Sequence, residues 1–171
     1  FVLLGHSFVP TYKKGEKGKY RLSIAKSSWK RLKAKIKVIT RKTTAMTLQE
    51  RIAKLNDLMR GWVNYFKHAT GYQKFKDLDS WIRSRLRYCI WKDWKRPKRR
   101  LRAFRQLGVT ESWARRFAYS RKGGWAIACS PIMKTTVTEE RLQQRGYISF
   151  LDYYLKVKYA SKTKTRSKKT K

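Results

Sequence analysis

Acidic residues are scarce in this sequence. Ten Asp and Glu stand against 45 Lys and Arg, a formal net charge of +35 over 171 residues. A compact particle with that excess repels itself unless a polyanion neutralises it. Nucleic acid is the natural partner, since a duplex presents one phosphate charge per about 1.7 Å of axis. Cysteine is scarce too. Cys89 and Cys129 form no paired spacing and have no histidine cluster nearby, which argues against a zinc site. No run of 18 apolar residues occurs, so no transmembrane helix is expected and a membrane is not a partner. No secretory signal is visible, and the expected location is intracellular. A phosphate-cradling glycine loop and a catalytic carboxylate cluster are both missing, so the sequence offers no enzyme centre and calls for no cofactor. Phe1 in place of Met reads as the start of a fragment or processed chain.

Apolar and aromatic residues are plentiful: 41% of the chain is hydrophobic and 14% aromatic, with seven Trp. Disordered chains are poor in aromatics, so the body is expected to fold. Residues 1–25 read as a β-hairpin, with strands at Phe1–Val9 and Tyr20–Ala25 joined by a polar loop across Lys13–Gly18. Three amphipathic helices are predicted next. The first spans Ser28–Thr40 with Ser27 or Ser28 as N-cap; Trp29, Leu32, Ile36 and Ile39 lie within about 80° of one another. The second opens on the capping box Thr47-Leu48-Gln49-Glu50 and carries Leu48, Ile52, Leu55, Met59, Trp62, Val63 and Phe66 on one stripe. Gly61 lies opposite that stripe, where a missing side chain would admit another backbone at about 1 kcal/mol of helix propensity. The third spans Asp77–Trp94, with Asp77 and Asp79 read as favourable acids at its positive end. Pro97 ends it.

Beyond Pro97, Leu101–Leu107 reads as a short helix stopped by Gly108. Thr110 is expected to cap another, Gly123-Gly124 to turn, and Trp125–Ser130 to form a short strand. Thr138 is expected to cap a last helix that Gly146 ends, with Glu139 and Glu140 in its first turn. The acid-free end is expected to be a disordered basic tail. The fold class is therefore mainly α: an N-terminal β-hairpin over 1–25, a three-helix bundle over 26–96, a mostly helical appended region with a short strand over 97–155, and a basic tail over 156–171.

Chemistry concentrates between Lys92 and Arg105, where eight of fourteen residues are Lys or Arg. Guanidinium planes pair with phosphate and stack on bases, and Trp offers a platform for unpaired RNA. The candidate contacts there are Lys92, Trp94, Lys95, Arg96, Lys98, Arg99, Arg100, Arg102 and Arg105. Lys30, Lys33, Lys37 and Arg41 add the basic face of the first helix. His6 and His68 are isolated and read as satisfied or exposed side chains.

Several segments together resemble one family. Leu55-Asn56-Asp57-Leu58-Met59-Arg60-Gly61-Trp62-Val63-Asn64-Tyr65-Phe66 is similar to the core motif of the group II intron maturase-specific domain. Trp81–Arg87 and Trp91–Pro97 resemble the motif that closes it. Phe1–Phe8 looks like the strand that ends the palm of such reverse transcriptases, and Leu107-Gly108-Val109 and Gly123-Gly124-Trp125 look like the region downstream of the thumb. The resemblance implies a thumb over 26–96 and a DNA-binding-like region over 97–155. It implies a parent that binds intron RNA, promotes splicing and reverse-transcribes the intron during retrohoming, as mobile elements do in the bacterial cytoplasm. Its partners would be intron RNA, the RNA/DNA template–primer duplex, target DNA and the palm domain of the same polypeptide. The metal-binding Tyr-Ala-Asp-Asp motif of that palm is not in this sequence, so Mg2+ would belong to the parent polymerase. Arg60, Asn64, Arg83, Arg85 and Arg87 are the motif positions that the resemblance adds as RNA-contact candidates. A general basic nucleic-acid-binding protein, ribosomal or architectural, is the competing reading; it explains the charge but not the motifs.

Overall fold

The computed structural model describes residues 1–10 and 20–167. The expected loop at Lys13–Gly18 lies outside them. The architecture is mainly helical, with a small N-terminal sheet. Three strands form that sheet, in the order β1 (Val2–Leu3), β2 (His6–Pro10) and β3 (Tyr20–Ile24), all antiparallel. Two strands were expected. The apolar run from Phe1 folds back on itself because Leu4 and Gly5 both take positive φ, 48° and 76°. Two such residues between paired Leu3 and His6 make the tight turn whose twist suits a hairpin.

The helices are α1 (Lys26–Ile39), α2 (Leu48–Tyr65), α3 (Tyr72–Asp93), α4 (Pro97–Gln106), α5 (Glu111–Ala118), α6 (Gly124–Ala128), α7 (Pro131–Thr136), α8 (Glu139–Gln144) and α9 (Phe150–Ser167). The capping box forms as expected: the Thr47 N–H donates to Glu50 at 2.7 Å and the Glu50 N–H to the Thr47 hydroxyl at 3.2 Å. The Thr138 side chain caps α8. Gly108 and Gly146 take the positive φ that ends their helices.

Several expectations are corrected. The first helix begins at Lys26, so neither Ser27 nor Ser28 caps it; the buried Ser28 hydroxyl donates to the Gly5 carbonyl instead. The third helix begins five residues early, which moves Asp77 and Asp79 out of its first turn. Trp125–Ser130 is no strand; its first residues form α6. No side chain or backbone lies within 4 Å of where a Gly61 Cβ would stand, so no close approach occurs there among the described residues. The segment from 156 onward, expected to be disordered, continues α9 as far as Ser167.

The chain separates into two compact units, each assembled from separated stretches. The first comprises the described residues of Phe1–Val38, Lys54–Asp79 and Ile148–Lys171. Its core contains Trp29, Leu32, Ile36, Leu55, Met59, Val63, Phe66, Phe75 and Tyr154, all buried. Trp29 meets Trp62 at 4.9 Å between ring centroids and Phe75 at 5.3 Å, and Phe75 stacks on Tyr154 at 4.4 Å. The Tyr154 hydroxyl donates to the Ala69 carbonyl at 2.7 Å.

The second unit comprises Ile39–Ala53 and Ser80–Tyr147. Ile82, Leu86, Ile90, Trp91, Phe104, Ile127, Met133 and Leu142 are buried in it. The start of α6 packs so closely on α3 that a Cβ at Gly124 would lie 3.1 Å from both Trp91 and Tyr88. That close approach, rather than a turn, is what the glycine permits.

Candidate nucleic-acid interface

The elbow between α3 and α4, in the second unit, is built by aromatics. Trp94 meets Phe104 edge-on at 5.4 Å, and Trp91 lies 6.2 Å from Phe104. The Arg100 guanidinium sits 4.1 Å above the Trp91 ring and donates through Nε to the Trp94 carbonyl at 3.0 Å. Pro97 supplies the first residue of α4, where its missing N–H costs nothing. With Phe104 turned inward, Lys98, Arg99, Arg102 and Arg105 fall on an outer arc of about 120°, and all four are exposed. Lys95 and Arg96 are exposed on the approach to the helix. No acid stands in the first turn of α4. Cations therefore crowd the positive end of a helix dipole, an arrangement that a bound phosphate would relieve.

Arg105 is not equivalent to the others. It donates through Nε and Nη2 to Glu111 at 2.6 and 2.5 Å, and Arg115 joins the same carboxylate at 2.6 Å. These hydrogen bonds, first from Arg105 and then from Arg115, hold the Glu111 carboxyl down at about 2.

Three arginines of the motif face inward. Arg87 is buried and donates to the Val137 carbonyl at 2.9 Å. Burial, and then the neighbouring Arg83 charge, push its pKa below the ordinary guanidinium value. Arg83 pairs with Glu139 at 2.9 Å. Arg85 donates to the hydroxyl and carbonyl of Thr40 at 2.5 and 3.2 Å and lies over Trp81. Each guanidinium fastens parts of the second unit together. Trp94 also serves the elbow, and half-buried Lys92 lies over the Tyr88 ring. Arg41 is exposed, though its carbonyl accepts from Arg51.

Arg51 was not singled out from the sequence. It is 3% exposed and donates to three carbonyls, Ile39 at 2.6 Å, Arg41 at 3.0 Å and Thr44 at 2.6 Å. Those carbonyls lie at the end of α1 and in the following loop, where helix-terminal carbonyls lack intrahelical partners. Its only sequence signal is its place on the inward side of α2, beside Ile52.

In the first unit α1 carries a second basic face. Lys26, Lys30, Lys33 and Lys37 recur at i, i+4, i+7 and i+11, within an arc of about 60°, and all are exposed. No acid stands in the first turn of α1. Arg60 and Asn64 are exposed one turn apart on α2; Arg60 lies 3.9 Å from Asp57, and Asn64 donates to the Tyr153 hydroxyl at 3.4 Å.

Among the described residues no three His, Cys, Asp or Glu side chains are grouped to hold a metal ion, and no helix is long and apolar enough to cross a membrane. Residues 29–108 match the family described as group II intron, maturase-specific domain. No curated protein matches the chain.

Proposed function

We propose that this chain, which carries a group II intron maturase-specific domain at residues 29–108, is the RNA-gripping segment of an intron maturase that assists splicing and retrohoming. The observation that carries this reading is the outer face of α4. Its cations stand on a short helix locked at the elbow by Arg100, Trp91 and Phe104. Side chains displayed from a fixed backbone lose less freedom when they close on phosphates. The lysine stripe of α1 supplies a second fixed row for the RNA backbone.

Such contacts position a folded RNA without reading its bases. In the parent polypeptide, the same faces would lie against the template–primer duplex. Residues beyond the matched domain would meet target DNA, and a palm domain with its Mg2+ would perform the polymerase chemistry.

The test is a salt titration of binding to intron RNA. About eight phosphate contacts would give a log–log slope of about −6 to −7. Replacing Lys98, Arg99 and Arg102 together by Ala should flatten that slope by about 2 to 3. Unchanged affinity and slope in the triple variant would refute the assignment of α4. Equal affinity for random duplex DNA would favour a general basic protein instead.

A further inference from the structure

In the first unit, a cleft of about 430 Å3 opens between α1, α2 and the β1–β2 turn. That volume lies within the range of sites that hold small ligands. Trp62, Tyr65 and Phe66 line one side, and Leu4 and Gly5 form a lip. Arg31 and Lys35 line it from α1. They stand one turn apart, about 6 Å along the helix axis, and both are exposed. They belong to neither the α4 arc nor the lysine stripe. No described carboxylate forms an ion pair with either.

The lip is held in place from several directions. The Tyr65 hydroxyl donates to the Leu4 carbonyl at 3.0 Å. The Gly5 carbonyl accepts from the Ala25 N–H at 3.0 Å and from the Ser28 hydroxyl at 3.1 Å. Leu4 is kept in the left-handed region, which non-glycine residues rarely adopt, while the residue is 75% exposed. Strain retained by surrounding contacts in this way is a recurrent mark of ligand-binding sites.

We propose that this cleft takes a single unpaired nucleotide of the bound RNA, its base against the aromatic wall and its flanking phosphates on Arg31 and Lys35. The inference rests on the RNA-binding reading above and adds a preference to it. Aromatic faces accept any base by stacking. A base within a helix is already stacked and cannot enter, whereas a bulged or looped base can splay out. The two cations supply the charge complement that an apolar occupant, such as a side chain from another protein segment, would not use.

The test compares two RNA hairpins, one with a single bulged 2-aminopurine and one with that position paired. The whole chain should bind the bulged hairpin about tenfold tighter, a ratio that stacking of one base supplies, and should quench its fluorescence. R31A/K35A should reduce the preference to within about twofold and abolish the quenching. K30A/K33A should weaken both hairpins alike and leave the preference intact. Y65A, which removes an exposed ring from the wall, should reduce the quenching while the fold, read by circular dichroism, persists. Equal affinity of the wild type for the two hairpins, or a preference that survives in R31A/K35A, overturns the cleft assignment. Steep salt dependence alongside either result leaves the RNA-binding reading standing. Binding indifferent to salt would sink that reading and this one with it.

Discussion

The Asp79 carboxylate accepts the Ser149 hydroxyl at 2.7 Å, although the two residues stand 70 positions apart. It also takes the N–H groups of Phe150 and Leu151 at 2.8 and 2.9 Å. A buried acid on α3 therefore caps the positive end of α9. Asp79→Ala should lower stability by about 1.5–3 kcal/mol, the range for hydrogen bonds to a charged group. Ser149→Ala, which leaves the backbone donors in place, should cost about 1 kcal/mol. Urea denaturation midpoints check both; equal midpoints for Asp79→Ala and wild type would refute the cap.

Arg87 and Arg83 should separate in the opposite way from a pair of RNA ligands. Arg87→Ala leaves the Val137 carbonyl without its buried donor and should cost about 1.5–3 kcal/mol. Arg83→Ala loses a partly exposed ion pair and should cost under about 1 kcal/mol. Thermal melts of the two variants measure this. If Arg87→Ala melts like wild type yet loses RNA affinity, the arginine acts on RNA and not as a fastener.

Acid should dissolve the Arg105–Glu111–Arg115 cluster late. The folded Glu111 carboxyl lies at about 2, well below its ordinary value. A depressed carboxyl stabilises the folded state fully above its unfolded value. That contribution fades as the pH falls from about 4.5 towards 2. A carboxyl-carbon NMR titration should place the Glu111 midpoint near 2. A midpoint near 4.5 would show that the exposed cluster is not formed in solution. Salt should raise the midpoint, because the groups are open to solvent.

Arg51→Lys should destabilise the α1–α2 connection despite keeping the charge. An ammonium is a point donor, whereas the guanidinium fork spans the Ile39, Arg41 and Thr44 carbonyls. The expected loss is about 1–3 kcal/mol, with faster amide hydrogen exchange over residues 40–47. Unaltered exchange would show that the loop is held by other contacts.

Local signals were legible in the sequence wherever cause and effect lie within one turn. Thr47 and Glu50 announce their capping box, Gly108 and Gly146 their helix stops, and the apolar stripes of α1 and α2 the side chains turned inward, of which Ile39, Leu48 and Trp62 are only half-buried. The start of α3 was hidden because Gly71 and the exposed Tyr72, Gln73 and Lys74 carry no cap signature; the anchor there is Phe75, in an aromatic cluster contributed by three other elements. The start of α9 is only partly local: Ser149 accepts the Asp152 N–H at 3.2 Å, a cap written in the adjacent sequence, while the Phe150 and Leu151 N–H groups are taken by Asp79, in another part of the sequence. The extent of a basic surface is also poorly legible from charge alone. Lys98 and Arg87 look alike as letters, and only packing separates the exposed one from the buried one.

The inward-facing guanidinium groups change what the composition means. Arg51, Arg85, Arg87 and Arg100 each bind a backbone carbonyl of their own chain. A tally of positive residues therefore overstates how many phosphates this molecule can neutralise. Part of its cationic inventory is mortar between helices. Wholesale conversion of arginine to lysine would preserve the net charge at neutral pH while dismantling the masonry.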